Sequence, residues 1–183
     1  MREKIIQAAA RQILKYGLRK FTIDEIASDL GISKKTVYKY FPGKRQIISA
    51  VVDSKIEEEK NCLLEALEAE GDVLDKLHAV LFYRSQNSAP ERLLEELQRY
   101  FPDEWRKSEA IGQFMWEHME NLLRQGIASG AIREDIPTEI IGMALSKTIP
   151  ALLDYKFLSR HDLTANQAVE QFKSMILYGI VKR

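Results

Sequence analysis

Apolar residues recur at intervals of three and four along nearly the whole chain, and no sustained apolar–polar alternation is bounded by turn residues. That periodicity restricts the chain to an all-α fold, and the stop signals divide it into about nine helices. The first carries Ile6, Ala9, Ala10, Ile13 and Leu14 on one side and stops at Gly17. Thr22-Ile23-Asp24-Glu25 has the form of a capping box, and Gly31 ends the helix it opens after Leu30. Ser33 caps a two-turn helix, Lys34 to Tyr40, which Pro42-Gly43 closes. A long helix follows from Lys44 into the sixties. Asp72 caps a segment to about Asn87, and Pro90 opens one ending near Phe101-Pro102. Trp105 begins a long helix stopped by Gly130. Thr138 starts one through Leu158, kinked at Pro150, and Thr164 caps the last, which ends near Val181.

The formal net charge is zero, but it is unevenly distributed. Residues 1–50 hold eleven Lys and Arg against four acids, so 11 − 4 = +7, and the remainder carries 16 − 23 = −7. A basic module on an acidic body suits a polyanionic partner. No stretch approaches the roughly 18 apolar residues of a membrane span, so no membrane partner is expected. The first ten residues lack the apolar block of a secretion signal, and Cys62 is the only cysteine. These features together point to the cytoplasm.

Two short helices joined by a glycine-containing turn, Thr22–Leu30 and Ser33–Tyr40, have the form of a helix-turn-helix. Ile26, Leu30, Ile32, Val37 and Phe41 have the spacing to pack inward with Phe21 and the first helix. Lys34, Lys35, Thr36, Tyr38 and Lys39 are left mostly outward. Lysine can read guanine acceptors or neutralise phosphate, and Thr and Tyr can reach phosphate or the thymine methyl. One two-turn helix reads too few bases to be selective, whereas two read a palindrome.

Thr22-Ile23-Asp24-Glu25-Ile26-Ala27, Leu30-Gly31-Ile32-Ser33, Val37-Tyr38-Lys39-Tyr40-Phe41 and Lys44 resemble the N-terminal signature of the tetracycline-repressor (TetR) family. Leu93-Leu94, Arg99-Tyr100-Phe101-Pro102, Trp105 and the stretch from Gly126 to Asp135 are similar to recurring C-terminal features of its members. The resemblance implies a dimer with an N-terminal three-helix DNA-binding domain, residues 1–48, and a C-terminal ligand-binding and dimerisation domain, residues 49–183. The division falls inside the long fourth helix. The resemblance also implies a repressor released from a palindromic operator by a mostly apolar small molecule. By position, Thr22, Ser33, Tyr38, Tyr40 and Lys44 would hold phosphates, and Lys34, Lys35 and Thr36 would lie nearest the bases. Many members have a small residue where Lys35 stands and a histidine where Tyr40 stands, which changes the bases to be read.

In the body, Ile111, Phe114, Met115, His118 and Leu122 form one stripe, with Trp116, Met119 and Leu123 beside it. So wide an apolar arc suits a helix in the middle of a bundle. With the resemblance, it suggests an effector pocket walled by Phe82, Phe101, Met115, His118, Met119, Leu152 and Tyr155; the alternative is a plain packed core. The helices from Thr138 and Thr164 carry apolar stripes that include Ile141, Leu145, Phe172, Met175 and Ile176. They either pair with a second copy in a four-helix interface, as the resemblance implies, or pack internally.

An enzyme would need a catalytic constellation, and none is legible. His78, His118 and His161 are scattered, and Glu117, His118 and Glu120 lack the spacing of a zinc helix. No metal and no cofactor is expected. An adaptor using its basic module as an electrostatic anchor would want apolar residues beside the lysines, where this chain has the polar tip Lys34-Lys35-Thr36.

Overall fold

The computed structural model describes residues 1–77, 79–80, 89–152 and 155–181. Among the described residues there are ten helices and no strand, only an isolated antiparallel bridge between Ile132 and Val181. In chain order these are α1 (Arg2–Tyr16), α2 (Ile23–Asp29), α3 (Lys34–Tyr40), α4 (Lys44–Glu68), α5 (described at 73–77 and 79–80), α6 (Glu91–Tyr100), α7 (Pro102–Ala128), α8 (Thr138–Leu152), α9 (Tyr155–Arg160) and α10 (Ala165–Ile180). The all-α expectation is met. The segment expected to run through Leu158 with a kink at Pro150 is helical over α8 and α9, and residues 153–154 between them lie outside the described residues. Pro150, in the last turn of α8, cannot donate a backbone hydrogen bond. The seventh helix starts three residues earlier than its apolar pattern suggests, because Pro102 fits a first helical position whose N–H has no partner in any case.

The chain forms two compact units, and neither is a continuous stretch. The first comprises Met1–Glu59 together with Ala89–Ile111. Its core contains Ile5, Phe21, Ile26, Val37, Ile47 and Ile48, all essentially without solvent contact. Leu93 and Leu97 of α6 are buried in the same cluster, and Phe101 and Trp105 pack against it. The sequence-based boundary at residue 48 therefore leaves out α6 and the start of α7, which complete this core.

The second unit comprises Lys60–Ser88 and Gly112–Arg183. Met115, Met119, Leu122 and Leu123 of α7, Ile141 and Leu145 of α8, and Ala168 and Phe172 of α10 are buried within it. The chain after α7 is tied to the end of α10 by the Arg133 amide, which donates to the Ile180 carbonyl at 2.8 Å. Thr164 and Gln167 form a reciprocal cap at the start of α10, each side chain accepting the other's backbone N–H.

The close approach of α7 and α8 depends on Gly142, where a Cβ atom would fall inside the Trp116 ring. Gly112, exposed on α7, has open space around its own Cβ position. Gly142→Ala should therefore cost about 1–3 kcal/mol through overpacking. Gly112→Ala should be neutral or stabilising by up to ~1 kcal/mol through helix propensity. Urea midpoints of the two variants should move in opposite directions, or only that of Gly142→Ala should fall.

Candidate functional site

The α2–α3 pair is built almost wholly from local hydrogen bonds. Thr22 is extended, its hydroxyl oxygen accepts the Glu25 N–H at 3.2 Å, and a Glu25 carboxylate oxygen accepts the Thr22 N–H at 2.7 Å. The Thr22 hydroxyl also donates to that carboxylate, at 2.9 Å. A phosphate taking this hydroxyl's proton must displace Glu25. Between the helices Gly31 sits at φ 62, where a side chain would be strained, and the Ile32 N–H returns to the Ala27 carbonyl at 2.9 Å. Ser33 caps α3 by accepting the Thr36 N–H at 3.1 Å, and the two hydroxyls are 2.9 Å apart.

Val37 and Phe41 anchor α3 in the core, at 0% and 3% exposure. Lys34, Lys35, Tyr38, Lys39 and Tyr40 are exposed, and Thr36 is half-buried. One short helix thus shows solvent three cations and two phenols. Lys34 is not a free cation, because its ammonium donates to the Asp24 carboxylate at 2.9 Å. That hydrogen bond, and then the Asp24 charge, raise its pKa above the ordinary lysine value. The pair is exposed on both sides, so a phosphate or a base edge can exchange for Asp24 at low cost.

Lys44 is placed differently from the sequence expectation of a simple phosphate contact. Its ammonium donates to the Arg19 and Phe21 carbonyls, each at 2.6 Å, and lies 4.3 Å from the centre of the Phe21 ring. Burial lowers its pKa, while the Glu25 and Glu96 charges pull it the other way. Two of its three N–H groups are committed to the turn between α1 and α2, which leaves one for another acceptor.

Three residues that sequence reasoning passed over bear on this surface: Asp24, paired with Lys34, and Glu96 and Tyr100 of α6. The Glu96 carboxylate accepts from the Leu18 N–H at 2.7 Å, and the Arg19 guanidinium donates to the Tyr100 hydroxyl at 3.2 Å. These partners are some eighty residues apart, and no local pattern announces them.

The residues expected to wall an effector pocket are divided between the two units. Phe82 lies outside the described residues, as does the side chain of Tyr155. Phe101 packs instead against the core of the first unit, since it follows Leu93 and Leu97 at the spacing of four that faces that core. Met115 and Met119 are buried in the second unit, and His118 and Leu152 are half-buried. His118 Nδ1 is 2.9 Å from the Phe114 carbonyl. A carbonyl only accepts, so Nδ1 carries the proton and the lone pair of a neutral ring lies on Nε2. A groove of about 620 Å³ lies elsewhere in the unit, lined by Ile127, Ile132, Arg133, Asp135, Tyr178 and Gly179 among others. Among the described residues, none of those expected in the pocket lines it.

Of the residues expected at an interface, three take the alternative of internal packing. Ile141, Leu145 and Phe172 are buried within the chain itself, at 3%, 6% and 7% exposure, and Ile176 is half-buried. Of the five, only Met175 is exposed. The apolar surface that α8 and α10 present lies beside the expected stripe and consists of Ile140, Met143, Met175 and Tyr178, each at least 59% exposed.

Residues 5–51 match the family described as bacterial regulatory proteins, tetR family. An uncharacterised helix-turn-helix transcriptional regulator of Bacillus subtilis, YvaF, is 28% identical over 97% of this chain and 95% of its own length. The transcriptional repressor KstR2 of Mycolicibacterium smegmatis is 23% identical over 99% of this chain and 91% of its own. Among solved structures, a transcriptional regulator from Saccharomonospora viridis in complex with choline superposes with a TM-score of 0.82. It is 19% identical and covers all of this chain and 98% of its own. That likeness speaks for the fold alone.

The Lys44 geometry gives a test that needs no ligand. Lys44→Met should lower stability by about 1 kcal/mol, because it removes two bonds from a charged donor to backbone carbonyls, one exposed and one partly buried. Lys35→Met, at an exposed position, should stay within about 0.5 kcal/mol. Equal melting temperatures for the two variants would contradict the anchoring role.

Proposed function

We propose, from the family model that matches residues 5–51 and from a regulator 28% identical over nearly the whole chain, that this is a TetR-family transcriptional repressor, acting as a homodimer on a palindromic operator and released by a mostly apolar small molecule. Members of this family are transcriptional regulators and not enzymes. The observation that carries the reading is α3. A seven-residue helix anchored by Val37 offers Lys34, Lys35, Tyr38, Lys39 and Tyr40 to solvent, a tip shaped and charged for a major groove. The repressive sign has support from the relative KstR2, which is named a transcriptional repressor.

In this reading residues 1–48 carry the DNA contacts. Lys35, Thr36 and, once it leaves Asp24, Lys34 approach base edges. Tyr38, Tyr40, Thr22, Ser33 and the remaining N–H of Lys44 take phosphates. Two copies are needed because half-sites lie roughly 34 Å apart on one face of the duplex. The second copy docks on Ile140, Met143, Met175 and Tyr178, whose exposure leaves apolar area for a partner to cover.

Residues 49–183 hold the effector. Met115, Met119 and Leu152 give it an apolar wall, and the free Nε2 of His118 is a polar atom that can orient it. The effector acts by preferring a spacing of the two α3 helices that does not match the groove. A hundredfold preference corresponds to about 2.7 kcal/mol of coupling. No helix among the described residues is long and apolar enough to cross a membrane, and a place in the cytoplasm beside the DNA fits this role.

Selection of binding sites from random duplex DNA with the purified protein tests the reading directly. A two-fold symmetric consensus is expected, and enrichment of sequences without symmetry, or of none, would overturn it. On the selected site Lys35→Ala should change base preference at one position per half-site, whereas Tyr38→Phe should weaken all sequences alike. Met175→Glu should give folded monomers by sedimentation. Phe172→Glu, placing a charge in the core, should unfold the second unit instead.

A further inference from the structure

Residues 17–21 join α1 to α2, and their backbone is held from two sides by opposite charges. The Glu96 carboxylate accepts the Leu18 N–H at 2.7 Å and the Arg19 N–H at 3.3 Å. The Lys44 ammonium takes the Arg19 and Phe21 carbonyls. Gly17, at φ 94 and ψ 166, adopts a conformation open almost only to glycine, and a Cβ there would lie 2.8 Å from a Glu96 oxygen. Carboxylate and turn thus fit without room for a side chain between them.

Glu96 does not act from a random position. Arg92, Glu96 and Tyr100 follow one another at intervals of four, so they share one side of α6. All three reach the end of α1 or the turn that follows it. Arg92 donates to the Leu14 carbonyl at 3.2 Å, in the last turn of α1, and the Arg19 guanidinium donates to the Tyr100 hydroxyl and lies 4.4 Å from the centre of its ring. One residue further on, Leu93, Leu97 and Phe101 repeat the same interval and pack on the core of the unit. The apolar row seats the helix, and the polar row beside it grips the turn.

We propose that Glu96 is a positioning residue for DNA binding: through the Leu18 and Arg19 amides it fixes the turn that sets the start of α2, the Thr22 cap and the anchor of Lys44. The proposal rests on the DNA-binding reading above and assigns that site a control point on α6. It requires a sign opposite to simple electrostatics. Deleting a carboxylate from a protein that binds a polyanion should strengthen binding, whereas deleting this one should weaken it, because two amides lose their acceptor and Thr22 and Lys44 lose their setting.

The test uses the full chain and a duplex recovered by the selection described above, with Glu96→Ala, Glu96→Gln and the neighbouring exposed acid as a control, Glu95→Ala. Affinity is measured well below the melting temperature of each variant, and exchange of the Leu18 and Arg19 amides is followed by NMR. Glu96→Ala should weaken duplex binding about tenfold, equivalent to ~1.4 kcal/mol. Glu96→Gln, which keeps a neutral acceptor, should fall between Glu96→Ala and the parent, and Glu95→Ala should bind as well as the parent or better. In Glu96→Ala the two amides should exchange at least about tenfold faster while Ile13 in α1 is unchanged. Unchanged exchange at Leu18 and Arg19, or a gain in affinity matching that of Glu95→Ala, overturns the proposal. Should Glu96→Ala not fold, the same comparisons are decided on Glu96→Gln. A parent protein that binds no duplex, with the amides nonetheless deprotected in the variants, sinks the DNA reading and leaves the grip of Glu96 on the turn established.

Discussion

A helix of seven residues has no stability of its own. Fixing its first turn costs more than its few hydrogen bonds return, and isolated helices need roughly twice that length to persist in water. Both α2 and α3 are of this length, so the surface they present exists only because the core beneath them exists. Val37 and Ile26, with no solvent contact, connect them to Phe21, Ile5 and Ile47. The caps at Thr22 and Ser33 satisfy N–H groups that a short helix cannot satisfy internally. The exposed face of α3 is in consequence less constrained by packing, since Val37 anchors the helix and Ser33 caps it.

The parts of the fold that are legible in the sequence are those written in short intervals. Both caps, the glycine turn at Gly31 and the inward set Ile26, Val37 and Phe41 follow from spacings of one to four residues. The errors have a common form. Helices α8 and α10 each carry two apolar stripes, because each packs inside the chain on one side and shows apolar residues to solvent on another. Ile140 and Ile141 are neighbours in sequence and about 100° apart around the helix. Nothing in either residue's identity tells which direction is inward, and the stripe at Ile141, Leu145 and Phe172 is the inner one. Phe101 reads as part of the body for a similar reason: its place in the chain is far from residue 48, while its contacts are with the core that residues 1–48 build.

Partners at long sequence distance are invisible for a different reason. Lys34 meets Asp24 across ten residues and Glu96 meets Leu18 across seventy-eight. In both cases the residue types, a lysine on a short helix and a glutamate on an amphipathic one, are what solvated faces carry everywhere. Geometry alone separates a solvated charge from one bound to a backbone amide.

Counting charge over the folded unit changes what the basic module means. The sequence places eleven cations and four acids in residues 1–50, but the compact unit also contains residues 51–59 and 89–111. These bring five Lys and Arg against ten acids, so the unit as a whole stands at only +7 − 5 = +2. A charge that small would attract a polyanion weakly if it were spread evenly. It is not spread evenly, because several of the added acids are already engaged within the unit. Glu96 is bound to two backbone amides, Asp103 faces Arg45, and Asp53 faces Lys107. Among the described residues, the lysines of α3 meet one carboxylate, that of Asp24, at an exposed and exchangeable contact. Charges of opposite sign therefore have different roles in this unit. Acids from α4, α6 and α7 fasten the scaffold, and the unsatisfied positive charge is left at Lys35 and Lys39 on the helix that points outward.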